Sequence, residues 1–214
     1  MERDNRCFLG NHEIDTIVKT LKPVIKKYDR GELLFRETDR ETKFYLLLGG
    51  TAYLAAENEY GFKQILNFFT KGQILFHDMM IAPHNGHCYA IAKSPCTIAL
   101  IDPADIEKYR QTHKDNLPDH LPAFISRSAL YMTQQHCHIL QQKTIRSKFL
   151  TFLYCQAERQ RSLSVKLPVP YSDLADYLSV DRSALMKEIS KLCQENLIEK
   201  RSRQITILAT TPWS

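Results

Sequence analysis

VDRSALMKEISKL, Val180–Leu192, decides how this chain is read. Asp181 is an N-cap residue type, able to accept a hydrogen bond from the first free backbone N–H groups of a helix. Behind it, Leu185, Ile189 and Leu192 recur at helical spacing and form a core stripe. Arg182, Ser183, Lys187 and Ser190 fall elsewhere on the turn, giving a short, polar, cationic surface. One face is built to be buried. The other is built to meet something flat and negative.

The flanking residues complete a unit. Upstream, YSDLADYLS (Tyr171–Ser179) predicts a short helix with Ser172 as its cap, Asp173 in the first turn, and Leu174, Ala175 and Leu178 facing inward. The LSVD turn tucks Val180 toward the core. Two short helices joined this way form a helix-turn-helix, whose second helix fits a major groove about 12 Å wide. Downstream, NLIEKRSRQITIL (Asn196–Leu208) predicts a strand, a basic turn and a second strand. That hairpin is a wing, with Lys200, Arg201 and Arg203 placed for DNA phosphates. Residues 171–214 nevertheless hold six Lys+Arg and six Asp+Glu, so a basic surface must come from placement rather than composition.

Further upstream the texture changes twice. RSLSVKLPVP reads as an extended loop closed by prolines, and TIRSKFLTFLYCQAERQ as an amphipathic helix carrying Ile145, Phe149, Phe152 and Leu153. A long helix covers about 118–141. In it Ile125, Met132 and Ile139 repeat every seven residues with Ser128 and Gln135 between them, a seam suited to a second copy of the chain. From Val24 to Asp102 short apolar or alternating runs (ELLF, KFYLLLGGTAYLAA, FKQILNFF, HCYAIA, CTIALI) are separated by turn signals such as LGGT, TKGQ and PHNG. ENEYGFK is a hairpin tip. This spacing predicts an antiparallel sandwich or barrel. Asn11–Lys22 reads as a short leading helix. The expected class is α+β, with an effector and dimerisation part at 1–141 and a DNA-binding part at 142–214.

Charge divides the same way. Residues 1–141 hold 17 Lys+Arg and 17 Asp+Glu, whereas 142–214 hold 12 and 7, so the whole net charge of +5 lies in the last third. No apolar run reaches the roughly 18 residues of a membrane helix, and the first residues lack the apolar core of an export signal. Six scattered cysteines without a CxxC pair fit a reducing cytoplasm.

The segment YSDLADYLSVDRSALMKEISKLCQENLIEKRSRQITI resembles the winged helix-turn-helix of the Crp/Fnr transcription regulators, and RGELLFRETDRETKFYLLLGGTAYL resembles their glycine-punctuated β-roll. The resemblance implies an N-terminal antiparallel β-roll of the cyclic-nucleotide-binding, jelly-roll type, a long dimerisation helix and a DNA-reading domain. It implies a homodimer on a palindromic site in double-stranded DNA, with RNA polymerase as a further partner, a small-molecule effector, and no membrane. Arg182, Ser183 and Lys187 match the family's base-reading positions; the middle one is commonly Glu there, which places the usual target sequence in doubt. Cyclic-nucleotide-binding members carry a Gly-Glu pair and an Arg-Ser pair in the pocket. Here those places hold Phe76-His77 and the NGHCYA segment, which lacks Arg, so cyclic AMP is not expected. Cys7 alone cannot stand in for the cysteine cluster of the iron–sulfur members.

The effector-pocket candidates are Phe76, His77, His87 and Cys88, with Thr133 and Gln134 on the long helix. His84, His136, Cys137 and His138 add imidazole and thiol groups, which leaves a haem- or redox-sensing regulator as the alternative. The spacing fits no defined metal motif, and no cofactor is specified. A jelly-roll metal enzyme is the remote alternative; it lacks a His-x-His with a following Glu, and no nucleophile has a placed base.

Overall fold

A computed structural model describes residues 8–39, 43–61, 63–76, 86–112 and 121–208. The chain divides into two compact units, the first running to Met132 and the second from Thr133. The division falls inside one helix.

The first unit opens with α1 (Asn11–Leu21), whose Ile14 and Ile17 are buried. Eight strands follow: β1 (Val24–Tyr28), β2 (Leu33–Arg36), β3 (Phe44–Gly49), β4 (Thr51–Asn58), β5 (Lys63–Thr70), β6 (Ile74–Phe76), β7 (Gly86–Ala92) and β8 (Cys96–Ile101). They pair antiparallel in two four-stranded sheets, ordered β1-β8-β3-β6 and β2-β7-β4-β5. Strand alternation supplies the core. Ala52 and Leu54 of β4 face Ala92 and Ala90 of β7 in register, and all four join Leu47, Phe69, Leu75 and Ile98 in one buried cluster. The expected β-roll is therefore present, and α2 (Pro103–Thr112) closes the unit with Ile106 in a second cluster beside α1.

The turn glycines serve different needs. Gly31 and Gly50 both have positive φ, 89° and 88°. A Cβ on Gly31 would meet open space, whereas one on Gly50 would run into the Pro95 carbonyl oxygen and the Cys96 backbone. In the LGGT turn the second glycine is thus required twice, for its backbone angle and for the close approach of the 95–96 segment.

α3 (Leu121–Leu140) starts with Pro122 in its first turn, where a missing N–H costs nothing. Its expected seam does not face outward. Ile125 lies in the cluster that holds Leu9, Ile14 and Ile17; Met132 lies in the main β-roll cluster; Ile139 is 1% exposed. Ser128 is also buried, its hydroxyl donating to the Ile125 carbonyl. These positions pack within the chain because the sheets and flanking helices need an apolar cover. The exposed face instead carries Ala123, Ser126, Leu130, Thr133 and Cys137, spaced alternately by three and four.

The second unit contains the end of α3, then α4 (Ile145–Gln160), β9 (Ser164–Lys166), α5 (Tyr171–Leu178), α6 (Arg182–Gln194), β10 (Ile198–Arg201) and β11 (Gln204–Ile207). Phe149, Phe152 and Leu153 of α4 are fully buried with Leu174, Leu178, Leu185 and Leu192, each contributing roughly 1.5–3 kcal/mol by leaving water. Part of the stretch expected as a loop is a third strand. Val165 of β9 pairs with Ile205 of β11, and both are wholly buried.

The end of α5 is held from two sides. His136 Nε2 bonds the Tyr177 carbonyl at 3.0 Å, and its ring stacks on the Tyr177 ring at 4.2 Å. Lys148 Nζ donates to the Leu178 carbonyl. These are last-turn carbonyls that the helix itself leaves open. The acceptor is a carbonyl, so His136 carries its proton on Nε2. Burial, with Lys148 nearby, lowers the imidazole pKa from its ordinary 6.5.

Gly50→Ala should destabilise the first unit by about 2 kcal/mol, lowering the urea midpoint, while Gly31→Ala should cost visibly less. Because the folded state holds His136 neutral, the unfolded state binds more protons below its ordinary pKa of 6.5. The stabilising contribution is full above that pH and declines as pH falls. Thermal melts from about pH 7.5 to about pH 5 should show this slope, and His136→Gln, which keeps a donor but does not titrate, should flatten it.

Candidate nucleic-acid interface

α6 is set by its cap and its stripe. Asp181 Oδ1 accepts from the Ala184 N–H at 2.9 Å and from the Ser183 hydroxyl at 2.6 Å. These bonds, the hydroxyl first, hold the Asp181 carboxyl below its ordinary pKa. Leu185, Ile189 and Leu192 are buried and fix which side of the helix turns inward. Arg182, Ser183, Lys187 and Ser190 are left exposed on the other side, with the Ser190 hydroxyl donating to the Met186 carbonyl.

The preceding turn corrects one expectation. α5 begins at Tyr171, so its N-cap is Pro170 and Ser172 is the second residue of the helix. The extended Pro170 backbone leads directly into the helix. The exposed Ser172 donates to the Asp173 carboxylate at 3.1 Å. Ser179 takes a left-handed conformation at φ 52°, and the Val180 N–H returns to the Ala175 carbonyl, which is how the turn stays tight.

Beyond α6, the β10–β11 hairpin turns at Ser202 and Arg203, with Ser202 left-handed at φ 56°. Tyr171 fastens this wing to α5. Its hydroxyl donates to the Ser202 carbonyl at 2.8 Å, and the Lys200 ammonium sits 4.9 Å from its ring centre. Burial pushes the Tyr171 phenol up to about 12, so it remains a donor at any physiological pH. Arg201 is held by Glu199 at 2.8 Å, while Arg203 is exposed.

Placement answers the balanced charge count. Glu188 of α6 and Glu195, the residue that caps its C-terminus, are gripped by Arg146 of α4. The guanidinium donates to Glu188 at 2.6 Å and to both oxygens of Glu195 at 2.7 and 2.8 Å, a fork geometry lysine cannot supply. Asp173 is buried, Asp181 is the cap, and Glu199 holds Arg201. Asp176 also has a partner. Among the described residues, the side chains of Arg182, Lys187 and Arg203 make no hydrogen bond or ion pair within the chain. The acids are spent internally and three cations are left to solvent.

The sequence alone does not single out Arg146 or Tyr171. Arg146 lies 42 and 49 residues before its partners, so no local spacing reveals it. The available signal was indirect: Glu188 and Glu195 share one helical stripe seven apart, away from the cationic side.

The described effector candidates belong to β6, β7 and α3. His77 and His84 lie outside the described residues, and Phe76 ends β6. Cys88 points into the roll and is 1% exposed, its thiol pKa raised by burial and then by Glu37. His87 alternates with it and is exposed, 3.6 Å from the Glu37 carboxylate. A cavity of about 470 Å³ opens beside them, lined by Arg36, Glu37, Glu57, Lys63, His87 and Tyr89. Thr133 and Gln134 are exposed on α3. His136 is committed to Tyr177, whereas Cys137 and His138 are exposed. No helix among the described residues is long and apolar enough to cross a membrane.

Comparison with known proteins agrees with this geometry. The family model described as cyclic nucleotide-binding domain matches residues 25–113, and that described as Crp-like helix-turn-helix domain matches residues 147–211. No curated protein sequence matches. Among solved structures, FixK2 from Bradyrhizobium japonicum is 20% identical with a TM-score of 0.69, over 87% of this chain and 93% of its own. A CooA mutant from Carboxydothermus hydrogenoformans is 14% identical with a TM-score of 0.72, over 96% and 94%. The c-di-GMP responsive global regulator CLP of Xanthomonas campestris is 16% identical with a TM-score of 0.63, over 94% and 100%. At these identities the structures speak for the fold, and the two matched domains, in this order on one chain, speak for the family. The chain is a Crp/Fnr-type transcription regulator, a cyclic-nucleotide-binding-type domain followed by a Crp-like DNA-binding domain.

Proposed function

We propose that this regulator binds a palindromic DNA site as a homodimer, with α6 in the major groove and the wing on the backbone. The observation that carries this reading is the set of three unpaired cations: Arg182 and Lys187 on the outer face of α6, and Arg203 at the wing tip. Arg182, in the first turn, is placed to fork onto guanine O6 and N7. Lys187, Lys200 and Arg203 suit phosphates, and Ser190 lies on the same face of α6. Ser172, at the start of α5, offers its backbone N–H toward a phosphate in the same docking. The protein acts in the cytoplasm beside RNA polymerase, and its role is binding rather than catalysis.

The second copy is assigned to the exposed stripe of α3. Ala123, Ser126, Leu130, Thr133 and Cys137 follow the three-four alternation of a coiled-coil seam, and Leu130 is 59% exposed in the single chain. Pairing along this stripe would present two α6 helices to half-sites about 34 Å apart.

The effector is of a class other than cyclic AMP. The start of β7 reads Gly86-His87-Cys88, without the arginine that neutralises a cyclic phosphate in nucleotide-binding members. In the adjacent cavity, the carboxylates of Glu37 and Glu57 stand beside Arg36 and Lys63, which disfavours a phosphate. An effector would act by favouring one arrangement of the paired α3 helices.

Arg182→Ala should cost roughly 1–3 kcal/mol on the selected site and relax one base pair. Arg203→Ala should weaken selected and random duplexes alike and reduce the salt slope by about 1. Equal losses on both duplexes for Arg182→Ala would contradict the groove assignment. A short bis-maleimide should join two wild-type copies, and Cys137→Ser should remove that product; unchanged cross-linking in the variant would place the dimer seam elsewhere.

A further inference from the structure

Ser183 has one hydroxyl proton, and the cap has already taken it. Its oxygen donates to Asp181 Oδ1 at 2.6 Å, while the same carboxylate oxygen also receives the Ala184 N–H. A hydroxyl offers one donor and two acceptor lone pairs. With the proton committed, only the lone pairs remain for anything outside. The commitment is firm because a hydrogen bond to an ionised carboxylate is about twice as strong as one to a neutral acceptor such as a base carbonyl. Asp181 also cannot turn away without uncapping α6. Ser190 makes a useful contrast. Its proton goes to a neutral backbone carbonyl, and nothing of comparable strength holds it there.

We propose that Ser183 reads its base pair solely as a hydrogen-bond acceptor, so that the base it faces must present an exocyclic amine, cytosine N4 or adenine N6. A guanine or thymine on that strand presents only acceptors at that edge, and lone pair would face lone pair. The specificity at this position is thus set by Asp181, a residue that touches no base. It acts as a positioning residue that fixes the polarity of its neighbour. The inference rests on the DNA-binding reading above and adds to it the class of base at one position.

The test uses the full-length dimer and a duplex site selected by it from random sequence. The relevant position is the one whose base preference changes in Ser183→Ala. At that position, replacing cytosine by 2-pyrimidinone, or adenine by purine, deletes the amine. This should weaken wild-type binding about three- to tenfold, the size of one net hydrogen bond, and should add nothing to the loss in Ser183→Ala. Ser183→Thr, which keeps the hydroxyl, should behave as wild type. Asp181→Asn still caps the helix but no longer holds the proton by charge, so its discrimination against guanine and thymine should narrow. Sensitivity to 7-deazaguanine in the pair, with deletion of the amine silent, would overturn the proposal. So would a Ser183→Ala protein that binds its site specifically with preferences unchanged at every position. A protein that selects no sequence at all would overturn the DNA-binding reading itself.

Discussion

The rotation of α6 about its own axis is the constraint on which the functional surface depends. Leu185, Ile189 and Leu192 must enter the core, and their burial settles which side chains are left outside. The Arg146 fork fixes the same rotation by electrostatics. It draws Glu188 and Glu195 toward α4, and with them the acidic stripe of α6. Apolar burial and a three-point charged contact therefore select one orientation. Arg182 and Lys187 are exposed as a consequence of both.

This division of labour explains how a segment with as many acids as bases offers a cationic face. Each acid has a task inside the chain: capping for Asp181, holding Arg201 for Glu199, answering Arg146 for Glu188 and Glu195. Net charge measures composition and cannot register these commitments. The field felt by a polyanion depends on which charges are already answered at short range.

α3 shows the same principle with apolar residues. Its heptad of Ile125, Met132 and Ile139 is the more hydrophobic stripe, and for that reason the chain itself covers it. The outward stripe is composed of Ala123, Ser126, Leu130, Thr133 and Cys137, smaller and less apolar. A helix with two sides to satisfy gives its stronger side to the core. The strongest period of α3 is therefore the one the chain buries, and the packing of the first unit and the helices decides this.

Much of the architecture was legible because local rules carry it: alternation with turn glycines for the β-roll, Asp181 for the start of α6, periodic leucines for its inner face, and the basic turn at Ser202 and Arg203 for the wing. The missed features are non-local. The Arg146 fork, the Tyr171–Ser202 bond, the His136–Tyr177 stack and the pairing of β9 with β11 join residues 31 to 49 apart, apart from any periodicity. The cap of α5 lies two positions before Ser172 for a related reason: the prolines before α5 fix where the helix begins, and cap chemistry alone does not register that. The sequence by itself determined which elements form and which faces are apolar, since both follow from backbone geometry and the period of side chains along it. The tertiary structure decided which charges are left unanswered and which side of α3 is exposed, because both depend on what a distant part of the chain brings within about 3 Å.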